Sequence, residues 1–235
     1  GVFLSGGVDS SLLAAVASKL QPELQTFSVG FDGEGKEVSV ADESAIAARV
    51  SSTLGTIHHE IRLSATDLLK SIDPTFQAMD EPIADPAMIP LRQLALFAKH
   101  HVKVCLAGDG GDEVFGGYVH HMLLPYRRTF HSLPLAVQQG IIGLVRLAPT
   151  APAEGMREYM RKARVAVNLV ANRDYLAGPF AGSYRKWLAD EAPYRSITHQ
   201  QLSDADWYFE DVLRGPLAGQ LLAKTDRMTM SAGWE

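Results

Sequence analysis

Val2-Phe3-Leu4-Ser5-Gly6-Gly7-Val8-Asp9-Ser10-Ser11, at the opening of the chain, decides the fold. A short apolar run, two glycines and a hydroxyl-rich helix start describe a buried strand turning into a helix. The glycines let the backbone bend tightly and approach a ligand. The helix N-terminus adds N–H donors and a positive dipole end, which suit a phosphate group. Ser5, Ser10 and Ser11 bring further hydroxyl donors. The stretch lacks the lysine of the G-x-x-x-x-G-K-[ST] loop and is not G-x-G-x-x-G, so it is neither of those nucleotide signatures. Asp9 is the odd member. A carboxylate beside a phosphate cradle repels a bare anion, and makes sense where a divalent cation bridges the two.

Outward from that loop, strand and helix signals alternate. Ser10 to Leu20 reads as a helix capped by Asp9 or Ser10. Leu24 to Val29 reads as a second strand stopped by Gly30. A helix over Asp42 to Leu54 puts Ala45, Ile46, Ala48 (or the stem of Arg49) and Val50 on one side, with Gly55 as its stop. Thr56 to Ile61 reads as a third strand, Ile89 to His100 as a helix, and Val102 to Ala107 as a fourth strand ending at Gly108. Such repeats predict an α/β fold, a doubly wound parallel sheet with right-handed crossovers. After Tyr118 strand signals cease. Helical stretches are expected over Leu135 to Ala148, Glu154 to Asn172, Ile197 to Leu213 and Pro216 to Met230. The expected division is an α/β core over 1–118 and an α-helical continuation over 119–235. Gly30 to Lys36 reads as a mobile loop at the end of a strand where open sheets bind ligands.

Composition sets bounds. The chain has 235 residues, 22 Lys and Arg against 27 Asp and Glu, and a net charge of −5. Bulk charge therefore does not drive nucleic-acid binding. One cysteine, Cys105, excludes an intrachain disulfide and a cysteine-cluster metal site. No apolar run reaches the roughly 18 residues of a membrane span; Leu133 to Ala148 is broken by Gln138, Gln139 and Arg146. The residues ahead of Gly6 do not read as an export signal, and a cytoplasmic location without one is the expectation. With no initiator Met and an end at Trp234-Glu235, the sequence is expected to be a piece of a longer protein.

Leu106-Ala107-Gly108-Asp109-Gly110-Gly111-Asp112-Glu113-Val114-Phe115-Gly116-Gly117-Tyr118 is the second informative stretch. It interleaves Asp109, Asp112 and Glu113 with glycines at the end of a buried strand. In a doubly wound sheet that strand neighbours the first, so the two loops face each other. Carboxylates gathered there beside Asp9 repel without a cation, and Mg²⁺ held between them and phosphate oxygens resolves this. The spacing of a Ca²⁺-binding EF-hand is absent.

Ser-Gly-Gly-Val-Asp-Ser-Ser resembles the pyrophosphate-binding loop of the N-type ATP pyrophosphatases, whose fold is of the adenine nucleotide alpha hydrolase type. The string from Leu106 to Tyr118 is similar to the signature of the synthetase domain of class B asparagine synthetases. Thr56-Ile57-His58-His59-Glu60, Asp80-Glu81-Pro82, Asp85-Pro86, Ile89-Pro90 and Lys224-Thr225-Asp226-Arg227-Met228-Thr229-Met230-Ser231 agree with it. The resemblance implies ATP and Mg²⁺ as cofactors and an aspartate carboxylate as the acyl substrate. It implies that Ser5, Gly6, Gly7, Asp9 and Ser10 bind pyrophosphate. Asp9 and Asp112 reach Mg²⁺, with Glu113 in support. Phe3 or Leu4, Val29 and Gly108 contact adenosine. Asp109 stands where relatives carry a Glu that assists ammonia attack, and it is shorter by one methylene. Asp226 and Arg227 are placed near the site without an assigned step.

The resemblance further implies ammonia from a glutaminase domain that this chain does not contain, and a catalytic Lys beyond residue 235. The fragment alone is thus expected to be inactive with glutamine and weak or dead with ammonia. Amidotransferases of polysaccharide clusters, β-lactam synthetases, peptide cyclases and a non-catalytic nucleotide-binding paralogue share the motifs. A tRNA-thiolating enzyme needs a cysteine pair. No nucleic-acid or membrane partner is expected, and the oligomeric state is open, a homodimer included.

Other residues have plainer readings. Of the pairs His58-His59, His100-His101 and His120-His121, the first lies on a strand and points to opposite faces, and the second suits a helix C-terminus. Arg157, Arg161, Lys162 and Arg164 read as a solvated helix face. Met156, Met160, Met228, Met230, Trp187, Trp207, Trp234 and Cys105 read as packing residues.

Overall fold

The computed structural model describes residues 1–33, 42–83, 85–117, 126, 129–147, 167, 170–171 and 213–233. Most of the expected helices at Glu154 to Asn172 and Ile197 to Leu213 lie outside these residues. So do Glu34 to Lys36 of the loop expected over Gly30 to Lys36, His120-His121, the 157–164 basic cluster, Met156, Met160 and the three tryptophans. The chain divides into two compact units, Gly1–Asp112 with Arg214–Glu235, and Glu113–Leu213.

The first unit is a parallel α/β sheet. Strand β1 (Val2–Phe3) leads into helix α1 (Val8–Leu20). Strand β2 (Gln25–Phe31) is followed by α2 (Ser44–Leu54), β3 (Ile57–Leu63) and α3 (Ala65–Gln77). Helix α4 (Met88–Ala98) and the short α5 (Gly111–Phe115) come next. The order is β1-β2-β3, with Val2 opposite Thr26 and Gln25 opposite Ile57, all parallel. On the other side of β1, Leu106 forms a parallel bridge to Val2. There Phe3 N donates to Leu106 O at 2.9 Å, and Leu106 N to Gly1 O at 2.9 Å. The fourth strand expected over Val102 to Ala107 is thus realised as one bridge, because β1 offers only two residues to pair with.

Period-two alternation sorts the core. Val2 and Leu4 pack with Leu24, Ala14 of α1 and Ala47 of α2. Phe3 and Phe27 point the other way, onto Leu94, Ala95 and Ala98 of α4 and onto Ala232. Cys105 packs against this second cluster, and burial pushes its thiol up to about 11, which makes it an inert core residue.

Several boundaries differ from expectation for identifiable reasons. Helix α1 starts at Val8 with Gly7 as its N-cap and no side-chain cap, so Asp9 sits inside the first turn rather than capping it. Gly30 does not stop β2. It pairs with Arg62, and a Cβ there would lie 2.8 Å from Arg62 Nη1 and 2.9 Å from Glu60 Oε1. Arg62 also meets Asp32 at 2.8 Å and donates to Phe31 O at 2.6 Å, which carries the strand past the glycine. In α2 the buried residues are Ser44, Ala47 and Ser51 instead of the apolar Ala45, Ile46 and Ala48. Gly55 ends that helix in the left-handed region at φ 69°. Helix α3 has no counterpart among the expected elements. A capping box at Ser64 and Asp67 starts it, and Pro74 lies within it.

In the second unit, α6 (Leu135–Leu147) follows the expected span. Among its described side chains Gln138 is buried, with Nε2 donating to Leu133 O at 2.7 Å, while the apolar Val137 and Leu144 are exposed. Near the C-terminus, a π-helical segment (Leu213–Leu222) precedes α7 (Ala223–Met230). No helix among the described residues is long and apolar enough to cross a membrane.

Candidate active site

The loop after β1 is fastened by its own hydroxyls. Ser5 Oγ and Ser10 Oγ lie 3.0 Å apart, Gly7 N donates to Ser5 Oγ at 3.2 Å, and Ser10 Oγ donates to Gly7 O at 3.2 Å. Gly6 has φ +83°, and a Cβ there would meet Ile46 of α2 at 2.8 Å. No other residue takes that conformation and that space without strain. Ser10 is buried as part of this lattice, whereas Ser5 remains exposed at the loop's edge.

The bridge at Leu106 brings the second glycine loop alongside the first, as the parallel arrangement requires. A Cβ on Gly108 would sit 3.0 Å from Ser10 N. A Cβ on Gly111 would sit 2.7 and 2.8 Å from the two carboxylate oxygens of Asp9. The glycines therefore allow one backbone to lie against the helix start and the carboxylate of the other.

Both loops open on one cavity of about 450 Å³, within the usual size of a small-ligand site. Of the expected site residues, Leu4, Ser5, Gly7, Asp9, Ser10, Val29, Gly108, Asp109 and Asp112 line it, and so does Phe3. Gly6 acts from behind, against Ile46. Glu113 does not line the cavity; it is 2% exposed, inside α5. Asp226 and Arg227 do not line it either, and Arg227 pairs with Asp80 at 2.6 Å.

Sequence reasoning assigned no role to Lys224, Ser28 or Thr225. Lys224 lines the cavity, and its Nζ donates to Asp85 Oδ2 at 2.8 Å. Burial alone would raise the Asp85 carboxyl. Hydrogen bonds from Lys224 and from Ala87 N–H, with the lysine's charge, outweigh that and hold it below the usual carboxylate range. Thr225 donates its hydroxyl to Asp109 Oδ2. Asp80-Glu81-Pro82, Asp85-Pro86 and Lys224-Thr225-Asp226-Arg227, set apart in the sequence, are thus tied together by two ion pairs. The signal that could have found this was the complementary charge of the segments.

Behind the floor, Ser28 Oγ meets His58 Nε2 at 3.0 Å, and Thr26 Oγ1 meets His58 Nδ1 at 3.0 Å. Burial, with repulsion from His59, lowers the His58 pKa against the opposing charge of Glu60. His59 points to the other face, as alternation requires. It stacks on Phe27 at 5.1 Å and lies 4.1 Å from the His101 ring, so His101 joins an aromatic group as well as following a helix end.

Among the described residues, no three His, Cys, Asp or Glu side chains converge to hold a metal by themselves. Mg²⁺ does not need such a cage; it commonly takes one or two carboxylates and completes its shell with water and phosphate oxygens. Asp9 and Asp112 on one cavity wall, beside a phosphate-type loop, fit that donor set.

A parallel α/β sheet whose first loop suits phosphates and whose second supplies carboxylates defines a nucleotide-site class of protein. Comparison with known sequences narrows it. The family described as asparagine synthase matches residues 1–235, and the chain belongs to that family. It is 32% identical to glutamine-hydrolyzing asparagine synthetase 1 of Bacillus subtilis, over 100% of this chain and 37% of that protein. It is 31% identical to glutamine-hydrolyzing asparagine synthetase 1 of Arabidopsis thaliana, over 56% of this chain and 24% of that protein. Against the Sandersonia aurantiaca enzyme of the same description it is 26% identical, over 99% of this chain and 48% of that protein. The chain thus spans less than half the length of these relatives.

Proposed function

We propose that this chain forms the ATP-using part of an asparagine-forming ligase. The observation that carries the reading is the meeting of Asp9 and Asp112 on one cavity beside the Ser5–Ser10 loop. Family membership supplies the reaction class. In this reading the sheet is doubly wound, and the core and helical parts divide near residue 118.

ATP lies with adenosine toward Leu4, Val29 and Gly108, and with its β and γ phosphates at Ser5, Gly7 and the first turn of α1. Helix-start N–H groups stabilise the charge that grows on departing pyrophosphate. Asp9 and Asp112 would hold Mg²⁺, which would supply charge neutralisation for the phosphates when bound. An oxygen of the aspartate side-chain carboxylate attacks the α-phosphorus. The bond to the β-phosphate bridging oxygen breaks, and pyrophosphate leaves. Ammonia derived from glutamine then attacks the acyl carbon and AMP departs with the carboxylate oxygen. Asp109, held by Thr225, stands by the acyl carbon to take the ammonium proton.

The test is isotopic. Aspartate labelled with ¹⁸O in its side-chain carboxylate should give AMP carrying one labelled oxygen. Asparagine formed with unlabelled AMP would sink the adenylate route. Asp9→Asn should abolish pyrophosphate release, and unchanged release would remove Asp9 from metal duty.

A further inference from the structure

Lys224 is the one cation among the described residues that line the cavity; the other charged groups there are Asp9, Glu43, Asp109 and Asp112. It is 7% exposed. An ammonium carries three N–H donors. Among the described interactions one of them is met, by Asp85 Oδ2 at 2.8 Å. Asp85 is itself fixed, because its Oδ1 accepts from Ala87 N–H at 2.9 Å. It therefore holds the lysine at the wall through Oδ2, with Oδ1 turned to the backbone. A buried charge short of acceptors is costly unless a ligand completes it.

The acyl substrate arrives as a carboxylate, and the remaining charged groups on the wall repel it. Lys224 also neighbours Thr225, which holds Asp109. One turn of α7 thus sets both a cation and the carboxylate read as the proton acceptor. We propose that Lys224 is the residue that recognises a carboxylate of the acyl substrate, with Asp85 as its positioning residue. The assignment rests on the aspartate binding included in the function proposed above, not on the adenylate step.

The experiment uses the intact protein with Mg²⁺ and α,β-methylene ATP, which cannot be adenylated from, and titrates L-aspartate by calorimetry. K224M should weaken aspartate binding about 10- to 100-fold, the usual result of losing a charge-assisted hydrogen bond, and leave nucleotide affinity unchanged. K224R should recover part of the loss. The lone K224M change strands the Asp85 carboxylate, so K224M/D85N serves as the folding control. It should recover the unfolding midpoint and still lack aspartate affinity. Recovery of aspartate binding in that double variant would reduce the pair to a structural one and overturn the proposal. Loss of nucleotide affinity with aspartate binding intact would make Lys224 a phosphate ligand and overturn it too. Wild-type protein that binds the nucleotide but not aspartate would overturn both the assignment and the aspartate reading. Wild-type protein that binds aspartate yet yields no labelled AMP would remove the adenylate route and leave Lys224's assignment standing.

Discussion

The two glycine loops of the cavity are held in different ways. The Ser5–Ser10 loop is fastened by hydroxyls that lie five residues apart or fewer. The Gly108–Asp112 loop depends on distant partners: Val2 through the bridge at Leu106, the Asp9 carboxylate against Gly111, and Thr225 on Asp109 across 116 residues. A loop that closes on itself is written in a short string, whereas one held from elsewhere needs the whole unit to be folded first. The difference makes the first loop the more local of the two, although Gly6 also packs against Ile46 of α2 and Gly111 N donates to Gly108 O at 3.2 Å within the second, and substitutions should separate them.

The largest effect is expected at Gly6. Gly6→Ala places a Cβ at φ +83° and 2.8 Å from Ile46 Cγ2. Strain of that kind costs about 1–3 kcal/mol, and α1 and α2 must also part. The thermal midpoint should fall by roughly 3–10 °C, and nucleotide binding should be lost with it. An unchanged midpoint would show that the loop tolerates another conformation and is less locally determined than its hydrogen bonds indicate.

Gly111→Ala comes next and acts between the loops. The added Cβ would displace the half-exposed Asp9 carboxylate, leaving the core untouched. Displaced metal-site carboxylates typically weaken metal binding about 10- to 100-fold. Mg²⁺-dependent nucleotide affinity should drop by that order with little change in melting temperature. A large stability loss instead would mean that the loops support each other structurally more than they shape a site.

Thr225→Val tests the distant support. It removes the hydroxyl that Asp109 Oδ2 accepts from and keeps the side chain's volume. Amide formation with ammonia should fall about tenfold, as for a lost hydrogen bond to a charged group. Nucleotide affinity, set by the first loop, should not move. Equal losses in both would erase the distinction between the loops.

This asymmetry also explains what the sequence could show. The strand–loop–helix at Val2 to Leu20 was legible because glycines, hydroxyls and an apolar run are adjacent there. The carboxylates Asp109 and Asp112 were legible by type. The buried position of Glu113 was not, because D-E-V-F reads alike on either face of a short helix. For helix α3 the sequence carries conflicting signals: Ser64 and Asp67 mark a helix start, while Pro74 within it argues against a helix. Ala47 and not Ile46 lies in the core because the buried face of α2 runs through Ser44, Ala47 and Ser51, a helical face set by small residues. Lys224 was visible only as part of a motif; its partner Asp85 lies 139 residues away.

His58 offers the mildest way to separate the two regions. Its ring bridges Thr26 and Ser28 of β2, the strand that pairs with β1 and so supports the first loop. Burial and the neighbouring His59 lower its pKa from the ordinary 6.5, so the folded protein holds it neutral where the unfolded chain begins to protonate. The unfolded state then binds more protons, and stability falls as pH drops below about 6.5 until the folded group also titrates. His59 is lowered as well and adds to the same slope. The lowered carboxylates Asp42, Asp67 and Asp85 contribute stability that is lost only nearer pH 4 and below, as pH falls through their folded values. Melting temperature should therefore decline as pH falls below about 6.5, and His58→Gln should flatten part of that decline. A protonated ring donates from both nitrogens, so Thr26 and Ser28 must both accept. Amide exchange should accordingly quicken in β2 and the Ser5–Ser10 loop before it does around Asp109. Exchange that quickens first at the second loop would reverse the order of dependence argued from the hydrogen bonds.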